Sequence, residues 1–257
     1  MAMEIKGRVG FVTGGASGLG AATVEMLHKN GAKVMIADLN EANGKAMVEK
    51  LGDRAAFCQM DVTNPDQVKA GIDKTLEMFG TIDILVNCAG TGFGMKTVGK
   101  DGPHDLNIFK KIIEINLFGT FDTLRQAAFH MQKNAPNEDK ERGVIINTAS
   151  VAAFEGQIGQ VAYSASKAAV VGMTLTIARD LARNGIRICT IAPGLFDTPL
   201  MAMMPKEAKD ALGAQVPFPD RLGKSPEFAR MVQSIVENPY LNGETIRLDG
   251  AIRMTPK

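Results

Sequence analysis

The stretch Arg8-Val-Gly-Phe-Val-Thr-Gly-Gly-Ala-Ser-Gly-Leu-Gly20 decides the fold. Arg8–Thr13 is a short apolar, β-branched run and reads as a strand. Gly20–Asn30 carries Ala21, Val24 and Leu27 at helical spacing and stops at Gly31, so it reads as a helix. Between them Gly14, Gly18 and Gly20 keep a G-x-x-x-G-x-G spacing at the helix mouth. Without Cβ atoms such residues let the backbone turn sharply and come close to a pyrophosphate. The free N–H groups and dipole of the adjoining helix then favour that anion. A glycine turn without chemistry would look the same in isolation, so the rest of the chain has to decide between the two.

Beyond this turn, strands and helices alternate. Lys33–Ala37 is the next strand, Asn40–Leu51 the next helix and Ala55–Gln59 the third strand. Asn64-Pro65 opens a helix through Phe79, with proline in its first turn. Ile82–Asn87, Gly143–Thr148, Arg187–Ile191 and Thr245–Arg247 complete the strands, and Ile108–Lys133 and Tyr163–Asn184 read as long helices. The strands are near-continuous apolar runs, as required when helices cover both faces. The expected fold is α/β: a single Rossmann-type, doubly wound parallel sheet with helices on both faces. At 257 residues, one domain over 1–257 is expected. Gly-rich Thr91–Asn107 and charge-rich Ala135–Arg142 fall outside the pattern and read as surface loops.

Composition narrows the function classes. Twenty-nine Lys and Arg against 28 Asp and Glu give a net charge of +1, which argues against a nucleic-acid partner. With 45% hydrophobic and 22% charged residues the chain is not disordered. Cys58, Cys88 and Cys189 are far apart and form no C-x-x-C pair, so neither a disulfide framework nor a zinc site is indicated. No run reaches the roughly 18 uninterrupted apolar residues of a membrane span, and no signal or transit pattern opens the chain. The expected compartment is the cytoplasm, or the mitochondrial matrix in a eukaryote.

Residues at successive strand ends suit a dinucleotide lying across the sheet. Asp38 ends the second strand, where a carboxylate can bond both ribose hydroxyls of an adenosine and repel a 2′-phosphate. Neither Leu39 nor Asn40 nor Gly15 is basic, so NAD is expected rather than NADP. Asp61-Val62 comes after the third strand and can receive the adenine. Asn87-Cys-Ala-Gly90 ends the fourth, its small residues letting the chain pass under a cofactor while the Asn87 amide ties neighbouring strands.

Tyr163 and Lys167 lie four apart in Tyr-Ser-Ala-Ser-Lys and share a helix face. A free phenol, with a pKa near 10, is only about one part in a thousand ionised at pH 7. A neighbouring ammonium is expected to lower that value and let Tyr163 take a proton from an alcohol as hydride leaves its carbon. Ser150, just after the Gly143–Thr148 strand, can hold the substrate oxygen. Asn116 stands inside an otherwise apolar helix segment (Ile112, Ile113, Ile115, Leu117), which points to a function or a buried water.

Together Thr13–Gly20, Asp38, Asn87–Gly90, Asn116, Ser150, Tyr163, Lys167 and Pro193-Gly194 resemble the short-chain dehydrogenase/reductase family, in the family's order over nearly the whole chain. Cys88 stands where many members have a second Asn. The resemblance implies a catalytic tetrad of Asn116, Ser150, Tyr163 and Lys167, with Lys167 also on the nicotinamide ribose and Asn116 supporting a water relay. Asn147–Gln157, Tyr163–Ala168, Ile191–Phe196, the loop after Gly90 and Gly243–Gly250 look like one branch, the type 2 3-hydroxyacyl-CoA dehydrogenases, also called type 10 17β-hydroxysteroid dehydrogenases. That likeness implies that Gly14, Ser17, Gly18, Leu19, Gly20, Asp38, Asp61, Val62, Cys88, Ala89, Gly90, Pro193, Gly194, Phe196 and Thr198 line the NAD site together with Tyr163 and Lys167. It places Gln157, with Ser150 and Tyr163, beside the substrate, and implies a homotetramer paired through the two long helices.

The Met- and Pro-rich stretch Leu195–Pro205, continuing to about residue 222, reads as an apolar substrate lid or as core. Lys206 and Lys209, or Lys96 and Lys100, can attract CoA phosphates. The expected activity is NAD-dependent, reversible oxidation of (S)-3-hydroxyacyl-CoA. A hydroxysteroid or other secondary-alcohol dehydrogenase and a non-catalytic dinucleotide-binding scaffold stay open as alternatives.

Overall fold

The apolar runs become strands β1 (Val9–Thr13), β2 (Lys33–Asp38), β3 (Ala55–Gln59), β4 (Ile84–Asn87), β5 (Gly143–Thr148) and β6 (Ile186–Pro193) in the computed structural model, which describes residues 3–201 and 205–256. A two-residue pair, β7 (Phe196–Asp197) and β8 (Gly223–Lys224), and the last strand β9 (Thr245–Leu248) complete the set. The main sheet is parallel throughout, in the order β3-β2-β1-β4-β5-β6-β9. The order reverses between β1 and β4, and a ligand crevice is expected outside the carboxyl ends there.

Helices α1 (Gly18–Lys29), α2 (Glu41–Leu51) and α8 (Ser225–Glu237) cover one face of the sheet. On the other lie α3 (Pro65–Phe79), α5 (Gly119–Met131) and α6 (Val161–Leu181), with α4 (Leu106–Ile113) leaning on α6; α7 (Lys206–Gly213) stands apart from both layers. Local chemistry starts several of them. Asn64 caps α3 by accepting from the Asp66 and Gln67 N–H groups, with Pro65 next in line. Asn40 caps α2 and Asp105 caps α4 in the same way.

Three differences from the sequence reading have physical causes. The strand and helix pattern leaves 225–237 unassigned, yet α8 buries Phe228, Ala229, Val232, Ile235 and Val236 there and packs along α1. The expected helix Ile108–Lys133 is interrupted by a π turn at Glu114–Phe118, in which the Gly119 N–H reaches the Glu114 carbonyl. Gly119 lies so close to the adenine-side residue Val62 that a Cβ would come within 2.7 Å of its methyl. Tyr163–Asn184 begins at Val161 and ends in a 3-10 turn closed by Gly185 at φ +69. Val161–Asn184 is long and apolar enough to cross a membrane, but here it lies on the sheet with Ser166, Lys167 and Thr174 buried.

At the carboxyl ends the strands carry a polar row. Thr13 stands opposite Asn87, Asn87 opposite Asn147, and Asn147 opposite Thr190, all four buried. As expected, the Asn87 amide ties strands together, donating to Asn147 Oδ1 at 2.9 Å. The Ala89 N–H donates to Thr13 Oγ1 at 3.1 Å. At the far end of β6, Arg187 is buried against Glu141 and donates to the Ile235, Val236 and Leu241 carbonyls, holding the end of α8.

Candidate active site

The first turn builds the floor of the crevice. Gly14 has φ +62, and a Cβ there would lie 2.8 Å from the Ala89 nitrogen; one on Gly20 would lie 2.1 Å from the Gly14 oxygen. Gly14 is thus required by the packing of the turn against the end of β4, and Gly20 by the closeness of the turn to its own helix, before any ligand is considered. Asp38 holds this turn from the side, one carboxylate oxygen accepting from the Ala16 N–H and the other from the Asn40 N–H, each at 2.9 Å. It does not cap α2, and each oxygen keeps a further lone pair for a ligand. Burial by itself would raise the Asp61 carboxyl, but the Thr63 backbone and hydroxyl donors, with Lys111 nearby, bring it below the ordinary carboxylate value. Both Thr63 donors use Oδ1.

The resulting crevice has a volume of about 600 Å³. Every residue expected at the dinucleotide lines it, from Gly14, Ser17, Gly18, Leu19 and Gly20 through Asp38, Asp61 and Val62 to Cys88, Ala89 and Gly90. Pro193, Gly194, Phe196 and Thr198 also line it, Thr198 coming against the Gly18 position, and Ser150, Tyr163 and Lys167 belong to the same wall. The lining suits an elongated ligand with an anionic middle and hydroxyls towards one end: a helix N-terminus for the anion, a carboxylate on one flank to accept from the hydroxyls, and small residues beneath. Sequence reasoning missed Leu39, Met60, Thr91, Lys111, Ile115 and Thr148 in the wall. Lys111 and Ile115 are four apart on one helix face, a signal present in the sequence; the others come from contacts between segments.

Two expected residues do not line the crevice. Asn116 is buried behind it, its amide donating to the Thr91 carbonyl (2.8 Å) and to Ser166 Oγ (3.0 Å) and its oxygen accepting from the Thr91 N–H (2.8 Å). It fastens the start of the 91–107 loop to α6 and needs no buried water to satisfy its side chain. Gln157, expected at the substrate, is not part of the crevice wall; its amide donates to the Thr255 carbonyl at 3.2 Å. Lys206 and Lys209 line a separate cleft of about 670 Å³ together with Asp197 and Asp210. Lys209 is paired with Asp197 at 3.1 Å, while Lys96 and Lys100 are exposed. Of the expected lid, Leu195, Phe196, Thr198, Pro199 and Met201 line the crevice, α7 comes next, and residues 202–204 lie outside the described residues.

The catalytic end corrects one expectation. Lys167 Nζ lies 5.8 Å from the Tyr163 ring centre and donates to the Thr148 carbonyl at 2.8 Å. Burial raises the Tyr163 phenol above its ordinary value; a hydrogen bond from Ser150 opposes this without reversing it. The expected lowering by Lys167 is absent: removing a phenolate from water dominates, and what opposes it comes from Ser150. Lys167 is itself brought down to about 8 by burial. Cys88, pushed up to about 11 by burial, is a thiol and not a nucleophile at neutral pH.

These values fix a pH dependence. In the ketone reduction expected from the sequence, Tyr163, the expected acid, stays protonated near neutral pH, while Lys167 carries its charge only below about 8. The reduction kcat/KM is therefore expected to be flat near neutrality and to fall with one-proton slope as pH rises through about 8. An initial-rate profile from about pH 6 to 10 checks this, and a curve flat across about 8 would separate Lys167 from the reaction.

The family model described as short chain dehydrogenase matches residues 8–209. The chain belongs to the short-chain dehydrogenase family. Membership makes it an oxidoreductase that uses a nicotinamide dinucleotide and a small-molecule substrate. This short-chain dehydrogenase is 55% identical over 254 residues to the 3-hydroxyacyl-CoA dehydrogenase type-2 of Drosophila melanogaster, covering 98% of this chain and 100% of that one. It is 52% identical over 255 residues to the Homo sapiens protein of the same name, covering 98% of each. Among solved structures, the 3-hydroxyacyl-CoA dehydrogenase type-2 from Mycobacterium avium superposes with a TM-score of 0.93 at 44% identity, again over 98% of each chain.

Proposed function

We propose that this short-chain dehydrogenase catalyses the NAD-dependent, reversible oxidation of (S)-3-hydroxyacyl-CoA to 3-oxoacyl-CoA. One observation carries the reading: relatives of that name match it from end to end at more than half of all positions. Ser150, Tyr163 and Lys167 line the crevice with the residues expected at the dinucleotide. When bound, the dinucleotide would supply the hydride acceptor. Ser150 holds the substrate oxygen, and Tyr163 Oη takes the hydroxyl proton as the C–H hydride departs. The form that accepts is the phenolate, its phenol proton having first passed to solvent; Lys167, charged at pH 7, favours that phenolate, and in the reducing direction the neutral phenol gives the same proton to the ketone oxygen. The NAD preference is supported by the Asp38 carboxylate at the ribose end and by the absence of a basic side chain at Gly15, Leu39 and Asn40. A homotetramer is part of the same proposal, supported by the exposed Phe118, Phe121 and Phe129 along the π turn and α5 and Leu175 on α6.

The test is reduced-cofactor formation by the purified protein on (S)-3-hydroxybutyryl-CoA and on a 17β-hydroxysteroid, with NAD and NADP supplied separately. The thioester with NAD is expected to lead. NADP should trail by roughly a hundredfold in kcat/KM, since a 2′-phosphate beside Asp38 is a like-charge contact. Turnover of the steroid alone would overturn the substrate assignment, and equal use of both dinucleotides the cofactor assignment.

A further inference from the structure

The loop carrying Gln157 is bound to another segment. Glu155 accepts both Arg247 guanidinium nitrogens, at 2.9 and 3.1 Å, and the Met254 N–H at 3.0 Å. Arg253 Nε lies 3.3 Å from the same carboxylate, and the Arg247 guanidinium sits 5.4 Å over the Phe154 ring. Two bonds to backbone carbonyls extend the seam: Gln157 Nε2 to Thr255 (3.2 Å) and the Ile158 N–H to Pro256 (3.0 Å). The segment 249–256 is thus laced along 154–158.

Its other contacts reach the substrate end from two more directions. Asp249 packs on Gly194 of the crevice wall, where an added Cβ would lie 2.8 Å from the Asp249 Cβ. Gly250 accepts from the Phe218 N–H at 3.3 Å, and a Cβ on it would strike Val216 at 2.4 Å, so the chain after α7 rests on this turn. Gly250 (φ +60) is succeeded by Ala251 at φ +68, held by its N–H bond to Asp249 Oδ1 at 3.0 Å. A left-handed alanine carries strain that the surrounding contacts must outweigh. On the remaining side, the Met95 N–H donates to the Gly159 carbonyl at 2.8 Å, and Gly92 lies against the Tyr163 ring.

We propose that Glu155 is a specificity-determining positioning residue: it clasps segment 249–256 to the 154–160 loop, and this seam sets the shape of the substrate end of the crevice. Three segments meet along this seam, each with its own support. The 91–95 segment is tied to Asn116, the 154–160 loop leads into α6, and the chain after α7 rests on Gly250. The clasp at Glu155 joins the last two, and the Met95–Gly159 bond brings in the first. The dinucleotide floor of Gly14, Gly20 and Asp38 is held by β4, α1 and α2; of the residues expected at the dinucleotide, Gly194 touches the seam through Asp249. This inference rests on the acyl-CoA reading for the identity of the substrate but not for the clasp itself.

The test compares wild type with Glu155→Gln and with a chain terminated after the buried Ile252. In both, KM for 3-hydroxydodecanoyl-CoA is expected to rise about tenfold, that for 3-hydroxybutyryl-CoA less than about twofold, with kcat and dinucleotide affinity unchanged. Glu155→Asp, retaining the charge, should recover part of the loss. Amide exchange at 154–160, measured without substrate, should quicken in Glu155→Gln. Equal KM changes for both chain lengths, no change, or weakened dinucleotide binding would each overturn the proposal. If the wild type oxidises no acyl-CoA, the substrate reading fails. Exchange at 154–160, with KM for short and long secondary alcohols that it does oxidise, then still decides the clasp.

Discussion

Tyr163→Phe is expected to lower kcat for alcohol oxidation by about a thousandfold, within the range that a positioned acid–base group supplies. The substitution removes one oxygen and leaves the ring against Gly92 and near Lys167. Ser150 keeps its bond from the Ala152 N–H at 3.1 Å and therefore its orientation, and Lys167 keeps the Thr148 carbonyl. What is lost is the sole phenol at the catalytic end, since Tyr240, the other tyrosine, is 98% exposed and does not line the crevice. Dinucleotide affinity, measured by fluorescence titration, should stay within about threefold, because the floor and the Asp38 flank do not involve Tyr163. A kcat within about tenfold of wild type would assign the proton to another group.

The largest stability effect is expected at Arg187→Ala. The side chain is buried, bonded to Glu141 at 2.7 Å, and gives hydrogen bonds to three carbonyls at and just beyond the end of α8. Its loss strands a buried carboxylate, whose second oxygen already has no partner, together with those carbonyls. Breaking such a pair costs about 3–5 kcal/mol, which corresponds to a melting-temperature drop of roughly 10 °C for a chain of this size. The double variant Arg187→Met with Glu141→Leu should recover only part, because the carbonyls of α8 remain unpaired. Urea unfolding of the three proteins checks this. Full recovery in the double variant would mean that the ion pair, and not the helix end, is the important partner.

The sheet and most of the cofactor wall are legible in the sequence because they depend on local pattern. Short apolar runs, Pro65 after Asn64 and glycines at fixed offsets each act within a few residues. The unread parts depend on distance along the chain. The helical spacing of Phe228, Val232 and Ile235 is present in the sequence, but the role of α8 comes from packing on α1, some two hundred residues earlier. Likeness places Gln157 at the substrate, whereas a bond to Thr255 decides where it points. The acidity expected of Tyr163 rests on one neighbour, and its actual sign is set by the whole enclosure. Residue spacing identifies the groups present; dielectric surroundings determine how strongly each holds its proton.

The π turn at Glu114–Phe118 changes which way the rod faces. A regular helix presents one stripe to one neighbour, and that stripe drifts steadily around the rod. A single widened turn resets the phase, like a vernier clicked forward by one division. One stiff rod can then aim Lys111 and Ile115 at the cofactor side and, past the offset, seat Leu124, Ala127 and Met131 on the sheet. Asn116 sits within the offset itself, held by Thr91 and Ser166. The rod thereby serves two surfaces of different curvature without a hinge between them.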